Sequence, residues 1–259
     1  MHIIGCQLNI VWEDREANYR RVEALLSSTN VPPESLIILP EMFPCGFTMD
    51  AEKVSEADPS PSESFVAELA QRHNAWVLAG IVRKGKTLPG RNEAIVVSPD
   101  GMQQARYGKI QPFAPGGEAE RYEAGSEVIV FPCNGFTVCP FICYDLRFPE
   151  IFRLGVQKGA ELFVDIANWP AIRVDHWITL LRARAIENQA YVVGVNRCGE
   201  DPKIAYPGRS VVVDPQGEIL ADAGADEGLL IADIDRSVVT EWREKFPALQ
   251  DLRPRHFGK

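Results

Sequence analysis

A cysteine stands at the abrupt end of an apolar stretch in the sequence VCPFICYDLRFPE, residues 138–150. The residues before Cys143 are typical of a buried β-strand, and Pro149 favours the start of a helix shortly afterwards. A cysteine inside a core is usually only a small hydrophobic residue, but reactive side chains gather at strand ends in α/β folds. The position therefore predicts that the Cys143 thiol acts as a nucleophile.

A thiol nucleophile needs a base, because a free cysteine with a pKa of about 8.5 is mostly protonated at neutral pH. The chain has four histidines, and none of them falls in an evident loop at a strand end: His2, His73, His176 and His256. This distribution disfavours a Cys-His protease arrangement. Carboxylates and lysines are the next candidates for the partner of the cysteine.

Two charged residues follow apolar strands in the same way as Cys143. Glu41 comes after the strand and proline of LIILPEMF, and Lys109 follows the predicted strand end in ARYGKI. A single charge of this kind is usually a solvated surface group. Three such residues at three separate strand ends instead predict a site where a thiol, a carboxylate and an ammonium group meet.

The strands that would carry these residues are apolar, β-branched runs bounded by turn residues, at about 3–10, 36–39, 76–82, 94–97, 128–131, 137–143, 162–166, 191–195, 211–213 and 229–234. Apolar residues at helical spacing lie between several of these runs, at 18–26, 62–73, 150–158 and 173–189. This alternation predicts an α/β fold.

Two segments resemble each other and predict hairpins, because each has a valine-rich strand, a Pro-x-Gly turn and a second strand: NEAIVVSPDGMQQARY and GRSVVVDPQGEILADA. They indicate two similar α/β halves with a sheet in each. The chain has 259 residues, 46% of them hydrophobic, and no linker long enough to divide domains. We therefore expect a single domain over residues 1–259.

The charge and the cysteine content exclude several classes of protein. A net charge of −9 and a pI near 5.1 disfavour nucleic acid and anionic membranes as partners. No stretch reaches the roughly 18 uninterrupted apolar residues of a membrane span, and the N-terminus is typical of a strand rather than a signal peptide. Six cysteines without a C-x-x-C pair or a histidine cluster predict reduced thiols and no metal site. We expect a cytoplasmic protein.

The motifs around Glu41, Lys109 and Cys143, LPEMF, YGKI and ICYDLRFPE, resemble the Glu-Lys-Cys triad of the nitrilase, or carbon-nitrogen hydrolase, superfamily. The resemblance covers nearly the whole chain, including NWP at 168–170, LLRARAIENQ at 180–189, VNRCG at 195–199 and GRSVVVDPQGEI at 208–219. It implies a four-layer α-β-β-α sandwich with two mixed sheets face to face. It also implies an enzyme without a cofactor that assembles as a homodimer or larger homo-oligomer.

Within this superfamily, CYDLRFPE resembles the ω-amidase branch and its bacterial relatives, whereas enzymes that hydrate nitriles more often carry Cys-Trp-Glu. The resemblance therefore implies hydrolysis of a small aliphatic amide through a thioester, with release of ammonia. One departure concerns the lysine motif, where many relatives have Lys-x-His-Leu-Phe and this chain has KIQPF at 109–113. The departure bears on the identity of the substrate more than on the chemistry.

The resemblance also assigns roles to the site residues. Cys143 would attack the carbonyl carbon, Glu41 would move the protons, and Lys109 would stabilise the oxyanion together with a backbone N–H near Tyr144. Superfamily members place a second glutamate in the loop after the lysine. Glu118 matches that position best, with Glu120 and Glu123 as the alternatives, and a merely solvated acidic loop as the other interpretation.

The residues around the substrate are less sharply indicated. Phe43, Phe113, Tyr144 and Trp169 either wall the pocket or belong to the core. Arg147 either binds a substrate carboxylate or, as we favour, pairs with Glu150 or Asp145 to lock the turn.

Two other functions remain open. One is hydrolysis of a nitrile or an N-carbamoyl compound by the same residues. The other is a non-catalytic redox sensor in which Cys143 is an oxidisable thiol.

Overall fold

The computed structural model describes residues 1–253. In that range the strands are β1 (His2–Gln7), β2 (Leu36–Leu39), β3 (Trp76–Lys84), β4 (Gly90–Val97), β5 (Gln103–Gly108), β6 (Tyr122–Glu123), β7 (Phe131–Cys133), β8 (Phe136–Ile142), β9 (Leu162–Ala167), β10 (Tyr191–Asn196), β11 (Cys198–Glu200), β12 (Ala205–Pro207), β13 (Val211–Val213), β14 (Ile219–Asp222) and β15 (Gly228–Asp233). The helices are α1 (Arg15–Ser27), α2 (Ala51–Val54), α3 (Pro61–His73), α4 (Pro149–Gln157), α5 (Val174–Asn188) and α6 (Arg236–Lys245).

The strands of residues 1–253 form two large mixed sheets and a small ribbon. The first sheet has the order β15-β1-β2-β3-β4-β5, with β6 beside β4, and the second has the order β14-β13-β10-β9-β8-β7. Parallel pairs lie at the centre of each sheet, between β1, β2 and β3 and between β8, β9 and β10. The ribbon pairs β11 with β12.

The two sheets pack face to face because their strands are apolar on both sides, as expected for strands covered by a second sheet and by helices. Ile38 and Leu78 of the first sheet share one core with Phe141 and Ile166 of the second. Helices α1 and α3 cover the outer face of the first sheet, and α4 and α5 cover that of the second. The molecule is therefore the four-layer α-β-β-α sandwich that the superfamily resemblance implied.

Local sequence signals explain where two of the helices begin. The Asp14 side chain accepts a hydrogen bond from the Ala17 N–H and caps α1. Ser60 caps α3, and Pro61 follows it at a position where a helix needs no N–H donor.

Within residues 1–253, no helix combines the length and the apolar character needed to cross a bilayer.

Both predicted hairpins form, one in each sheet. In the first, β4 pairs with β5, and in the second, β13 pairs with β14. Each turn uses a glycine at positive φ, Gly101 at +84° and Gly217 at +87°, a conformation that costs other residues free energy. The prediction for residues 128–131 was wrong in its bounds, since the strand β7 begins only at Phe131.

Candidate active site

Glu41, Lys109 and Cys143 follow three strands, β2 and β5 of the first sheet and β8 of the second. Packing of the sheets face to face brings these strand ends together. The Lys109 Nζ donates to Glu41 Oε1 at 2.8 Å, and the charges of both residues act on the Cys143 thiol. The structure therefore gathers the three residues that the sequence analysis singled out.

The Glu41 carboxylate is fully buried and has partners on both oxygens. Oε1 accepts hydrogen bonds from Lys109 and, at 2.7 Å, from Asn92 Nδ2, while Oε2 accepts the backbone N–H of Asn168 at 2.9 Å. Burial by itself raises the pKa of this carboxyl, but the charge and hydrogen bond of Lys109 and the hydrogen bonds from Asn92 and Asn168 together leave the pKa below its ordinary value. Glu41 is therefore an anion that can accept a proton.

Glu118 belongs to the same cluster. Its Oε2 accepts from Lys109 Nζ at 2.8 Å and from the Phe113 N–H at 2.6 Å, and its Oε1 accepts from Asn92 at 2.9 Å. Burial lowers the pKa of Lys109, but the charges of Glu118 and Glu41 reverse the shift and hold that pKa well above its usual range. One ammonium group thus sits between two buried carboxylates.

The two alternative glutamates of this loop lie elsewhere. Glu120 is exposed at the surface. Glu123 accepts hydrogen bonds from the Thr87 hydroxyl at 2.9 Å and from the Leu88 N–H at 3.0 Å, away from the lysine. Among the three glutamates considered from the sequence, the structure brings only Glu118 to Lys109.

Cys143 is the first residue of a short 3₁₀ turn, Cys143–Arg147, that directly follows β8. Its backbone has φ of +51°, a left-handed conformation that is uncommon for residues other than glycine. Tyr144 is the second residue of the turn, and an N–H at that position has no acceptor within its own helix. The Tyr144 N–H is thus available for an oxyanion, as Lys109 is.

The Cys143 side chain is half-buried, whereas the other five cysteines are buried. Burial and the negative charge of Glu41 raise the pKa of its thiol well above the usual range, against the opposing charge of Lys109. A protonated thiol beside an anionic carboxylate is the arrangement that general-base activation of a nucleophile requires.

Asp145 fixes the turn that carries the cysteine. It accepts hydrogen bonds from the Tyr107 hydroxyl at 2.8 Å, the Gln111 N–H at 2.9 Å and the Ile142 N–H at 3.1 Å. Burial raises the pKa of Asp145 to about 7. This residue therefore ties the end of β8 to the loop after Lys109.

A pocket opens above Cys143, and its wall is mainly aromatic: Phe47, Phe113, Tyr144, Trp169 and Tyr206. The predicted wall residues Phe113, Tyr144 and Trp169 line it. Phe43 does not, and its prediction as a wall residue was wrong. Its ring lies in the helix-covered core of the first sheet, with its centroid 5.9 Å from that of Tyr19.

Two arginines face the pocket. The Arg147 guanidinium stacks on Trp169 at 4.7 Å from the ring centroid, and that of Arg173 lies 5.6 Å from the centroid of Phe113. Burial and the charge of Arg173 lower the pKa of Arg147.

The favoured pairing of Arg147 with Glu150 or Asp145 was wrong, since no carboxylate of residues 1–253 lies within 4 Å of either guanidinium, Arg147 or Arg173. The Arg147 Nη2 instead lies 3.3 Å from His176 Nδ1. Neither guanidinium group therefore makes an ion pair within the described part of the chain.

Comparison with known proteins decides the family. The model of the family described as carbon-nitrogen hydrolase matches residues 5–244. The chain belongs to the carbon-nitrogen hydrolase family. It is 40% identical to the omega-amidase YafV of Escherichia coli (strain K12), over 95% of this chain and 94% of that protein. It is 32% identical to a 2-oxoglutaramate amidase of Bacillus subtilis (strain 168), over 96% of this chain and 97% of the relative.

Solved structures agree with the fold of this carbon-nitrogen hydrolase. A CN-hydrolase superfamily protein of Xanthomonas campestris has 33% identity and a TM-score of 0.92, covering 98% of this chain and 97% of that one. Nit3 of Saccharomyces cerevisiae, a member of branch 10 of the nitrilase superfamily, has 27% identity and a TM-score of 0.86, covering 95% and 94%. The predicted superfamily, fold and enzyme class, an amidase, are confirmed.

Sequence reasoning missed several polar residues of the hydrolase site. Asn92 and Asn168 hold Glu41, and Asp165 accepts the Cys143 N–H at 2.9 Å. Asp165 interrupts the buried strand LFVDIA, and a polar residue in such a run needs a specific hydrogen-bond partner. That signal was available in the sequence. Asn92 lies in a strand, and Asn168 follows one directly, which gives the same signal.

Proposed function

We propose that this hydrolase cleaves the ω-amide of a small carboxylic acid through a thioester on Cys143 and releases ammonia. The observation that carries the substrate class is the pair of guanidinium groups, Arg147 and Arg173, which face the pocket without a carboxylate partner in residues 1–253. Arginine binds carboxylates through parallel hydrogen bonds. A substrate would place its amide at Cys143 and its carboxylate between the arginines.

Acyl transfer proceeds in two steps. The Cys143 sulfur attacks the amide carbonyl carbon as Glu41 takes the thiol proton, and Glu41 then gives that proton to the leaving nitrogen, which departs as ammonia. Water attacks the thioester with Glu41 as base, which breaks the C–S bond, frees the acid and restores the thiol. Glu41 thus alternates between base and acid.

The oxyanion of both tetrahedral species would be stabilised by Lys109 Nζ and the Tyr144 N–H, each donor typically worth about 3 kcal/mol. Glu118 holds Lys109 in place and, with Glu41, keeps the ammonium group charged despite its burial. Because the donors are fixed before the substrate arrives, little reorganisation is needed during the reaction.

The names of relatives support an amide with an acidic end. One relative is a 2-oxoglutaramate amidase, and a protein of Synechocystis that is 34% identical over 90% of this chain is a deaminated glutathione amidase. We further propose that the enzyme acts in the cytoplasm as a single domain of residues 1–259, without a cofactor, and as a homodimer or larger homo-oligomer.

Ammonia release from a substrate panel tests the proposal. The panel contains a small ω-amide with a terminal carboxylate, its methyl ester, the matching nitrile and an N-carbamoyl amino acid. We expect kcat/KM for the ω-amide to exceed that for the nitrile by at least about a hundredfold, or ~2.7 kcal/mol in transition-state stabilisation. Equal or faster turnover of the nitrile or the carbamoyl compound would contradict the proposal. Ammonia release from none of them would favour the redox sensor.

A further inference from the structure

The nucleophile is held in an unfavourable backbone conformation. A residue other than glycine in the left-handed region costs about 1–3 kcal/mol and persists only where its surroundings enforce it. Cys143 has φ of +51° and is the first residue of the 3₁₀ turn that directly follows β8. The direction of its sulfur therefore depends on what holds the Cys143 peptide.

Asp165 is the residue that holds this peptide. Its Oδ1 accepts the Cys143 N–H at 2.9 Å from the neighbouring parallel strand, where Asp165 lies opposite Phe141. The residue is fully buried in β9. Its other oxygen, Oδ2, is buried without a hydrogen-bond partner among residues 1–253.

The charges around Asp165 disfavour a carboxylate. Burial and the neighbouring charge of Asp145 raise its pKa well above the usual range, as does Glu41, whereas the Cys143 N–H and Lys109 act in the opposite direction. No cation of residues 1–253 pairs with it. A buried carboxylate without a counter-ion and with one unpartnered oxygen is costly, and neutralisation is the usual response.

We propose that Asp165 is a positioning residue, a neutral carboxylic acid that accepts the Cys143 N–H and so fixes the direction of the nucleophile. The inference rests on the nucleophile role proposed for Cys143. Because Asp165 occupies the Cys143 N–H, the backbone donor left for the oxyanion is that of Tyr144. The sulfur and the carbonyl oxygen both gain negative charge during the reaction, and a neutral Asp165 does not repel that charge.

Two substitutions separate the hydrogen bond from the charge. Asp165→Leu removes the acceptor and keeps four side-chain heavy atoms branched at Cγ. It is expected to lower kcat for the ω-amide at least about a hundredfold, with a smaller change in KM, since a small misplacement of a reacting group has this effect. Asp165→Asn keeps a neutral acceptor and is expected to recover kcat to within about fivefold of the wild type. Its pH profile of kcat should follow that of the wild type.

Val164→Ala is the matched control, because it leaves a void in the same buried strand and keeps the Asp165 acceptor of the Cys143 N–H. It should lower the melting temperature and leave kcat within about twofold. A kcat for Asp165→Asn as low as that of Asp165→Leu would overturn the neutral state, as would failure of Asp165→Asn to fold. Wild-type kcat in Asp165→Leu would overturn the positioning role.

An infrared measurement keeps the proposal testable if Asp165→Leu does not fold. The difference spectrum of wild type minus Asp165→Asn at pH 8, above the titration of Asp145, should contain the C=O band of a protonated carboxyl group. A carboxylate band in its place would contradict the proposal. This readout needs no turnover, so that it is independent of whether the proposed amidase activity is correct, which Cys143→Ala decides.

Discussion

The floor and the mouth of the pocket are built on opposite principles. We call the buried charged cluster whose charges act on the Cys143 thiol the floor: Glu41 and Glu118 are fully buried, each accepts a hydrogen bond from the buried Lys109, and Asn92 and Asn168 support them. At the mouth, aromatic rings support two guanidinium groups that no carboxylate of residues 1–253 neutralises. The charges at the floor pair with one another, whereas the positive charges of the two arginines at the mouth can pair with an anionic ligand.

This difference indicates that the floor carries out the catalytic steps and that the mouth selects the substrate. Buried ions are tolerated only when each has a partner. Removal of one charged residue at the floor would leave its buried partner without that counter-charge and would destabilise the fold. The two arginines at the mouth do not depend on each other in this way. Each one stacks on a ring and faces the pocket, so its substitution leaves no buried charge without a partner. Substitutions of the buried charged residues Glu41, Lys109 and Glu118 should therefore affect kcat and stability together. Substitutions at the mouth should affect KM.

The largest expected effect is at the floor. Cys143→Ala should lower kcat by at least about 10⁴-fold, because covalent catalysis loses its nucleophile, while circular dichroism and the melting temperature show an intact fold. The buried cysteines provide matched controls, and Cys45→Ala, Cys133→Ala and Cys198→Ala should retain turnover. Wild-type ammonia release by Cys143→Ala would exclude the thioester route.

Lys109→Met should lower kcat by about 10²- to 10³-fold and destabilise the fold by about 3–5 kcal/mol. It removes an oxyanion donor and leaves Glu41 and Glu118 buried without their cation. Urea denaturation measures the stability. Lys53→Met is the control, since its ion pair with Glu13 lies at the surface and should change stability little. Equal stabilities of the two variants would contradict the claim that Lys109 stabilises the buried carboxylates.

At the mouth, Arg173→Met should raise KM for the carboxylate-bearing ω-amide about 10- to 100-fold and leave kcat within a few-fold. The methyl ester of the same amide should be affected little. Arg182→Met is the matched control, because Arg182 bonds the Gly217 carbonyl outside the pocket. If the KM of acid and ester rose equally, Arg173 would shape the pocket and not bind the carboxylate.

The smallest effect is on the pH dependence of stability. Asp145 has a folded pKa of about 7 against an ordinary value of 3.8, so between these values the folded state binds more protons than the unfolded state. Its contribution to stability is complete below about pH 4 and is lost as the pH rises to about 7.

Asp145→Asn should remove this contribution. Urea unfolding at several pH values would then differ from the wild type in slope by at most about 1.4 kcal/mol per pH unit over this range, with the wild type losing more stability as the pH rises. Identical slopes would show that Asp145 is ionised throughout.

The sequence predicted the floor better than the mouth, and the reason is physical. Cys143, Lys109 and Glu41 stand directly after strands, or one residue beyond, so alternation and turn residues locate them without a structure. The mouth depends on how loops turn. Met42 has φ of +46°, and this turn directs Phe43 into the helix-covered core, while Phe47 lines the pocket.

The residues that support the floor could be predicted from the sequence only in part. Asn92, Asn168 and Asp165 each lie in or next to a buried strand, so the sequence shows that they must be hydrogen-bonded but not to which partner. The partners come from distant parts of the chain, as when Asn168 meets Glu41. Only the packing of one sheet on the other supplies that information.

The most direct test of the account is the mass of the enzyme quenched in acid during turnover of the ω-amide. We predict an adduct equal to the substrate minus ammonia, located by peptide mapping on Cys143 and missing from Cys143→Ala. An adduct on another residue, or the same adduct in Cys143→Ala, would contradict the account.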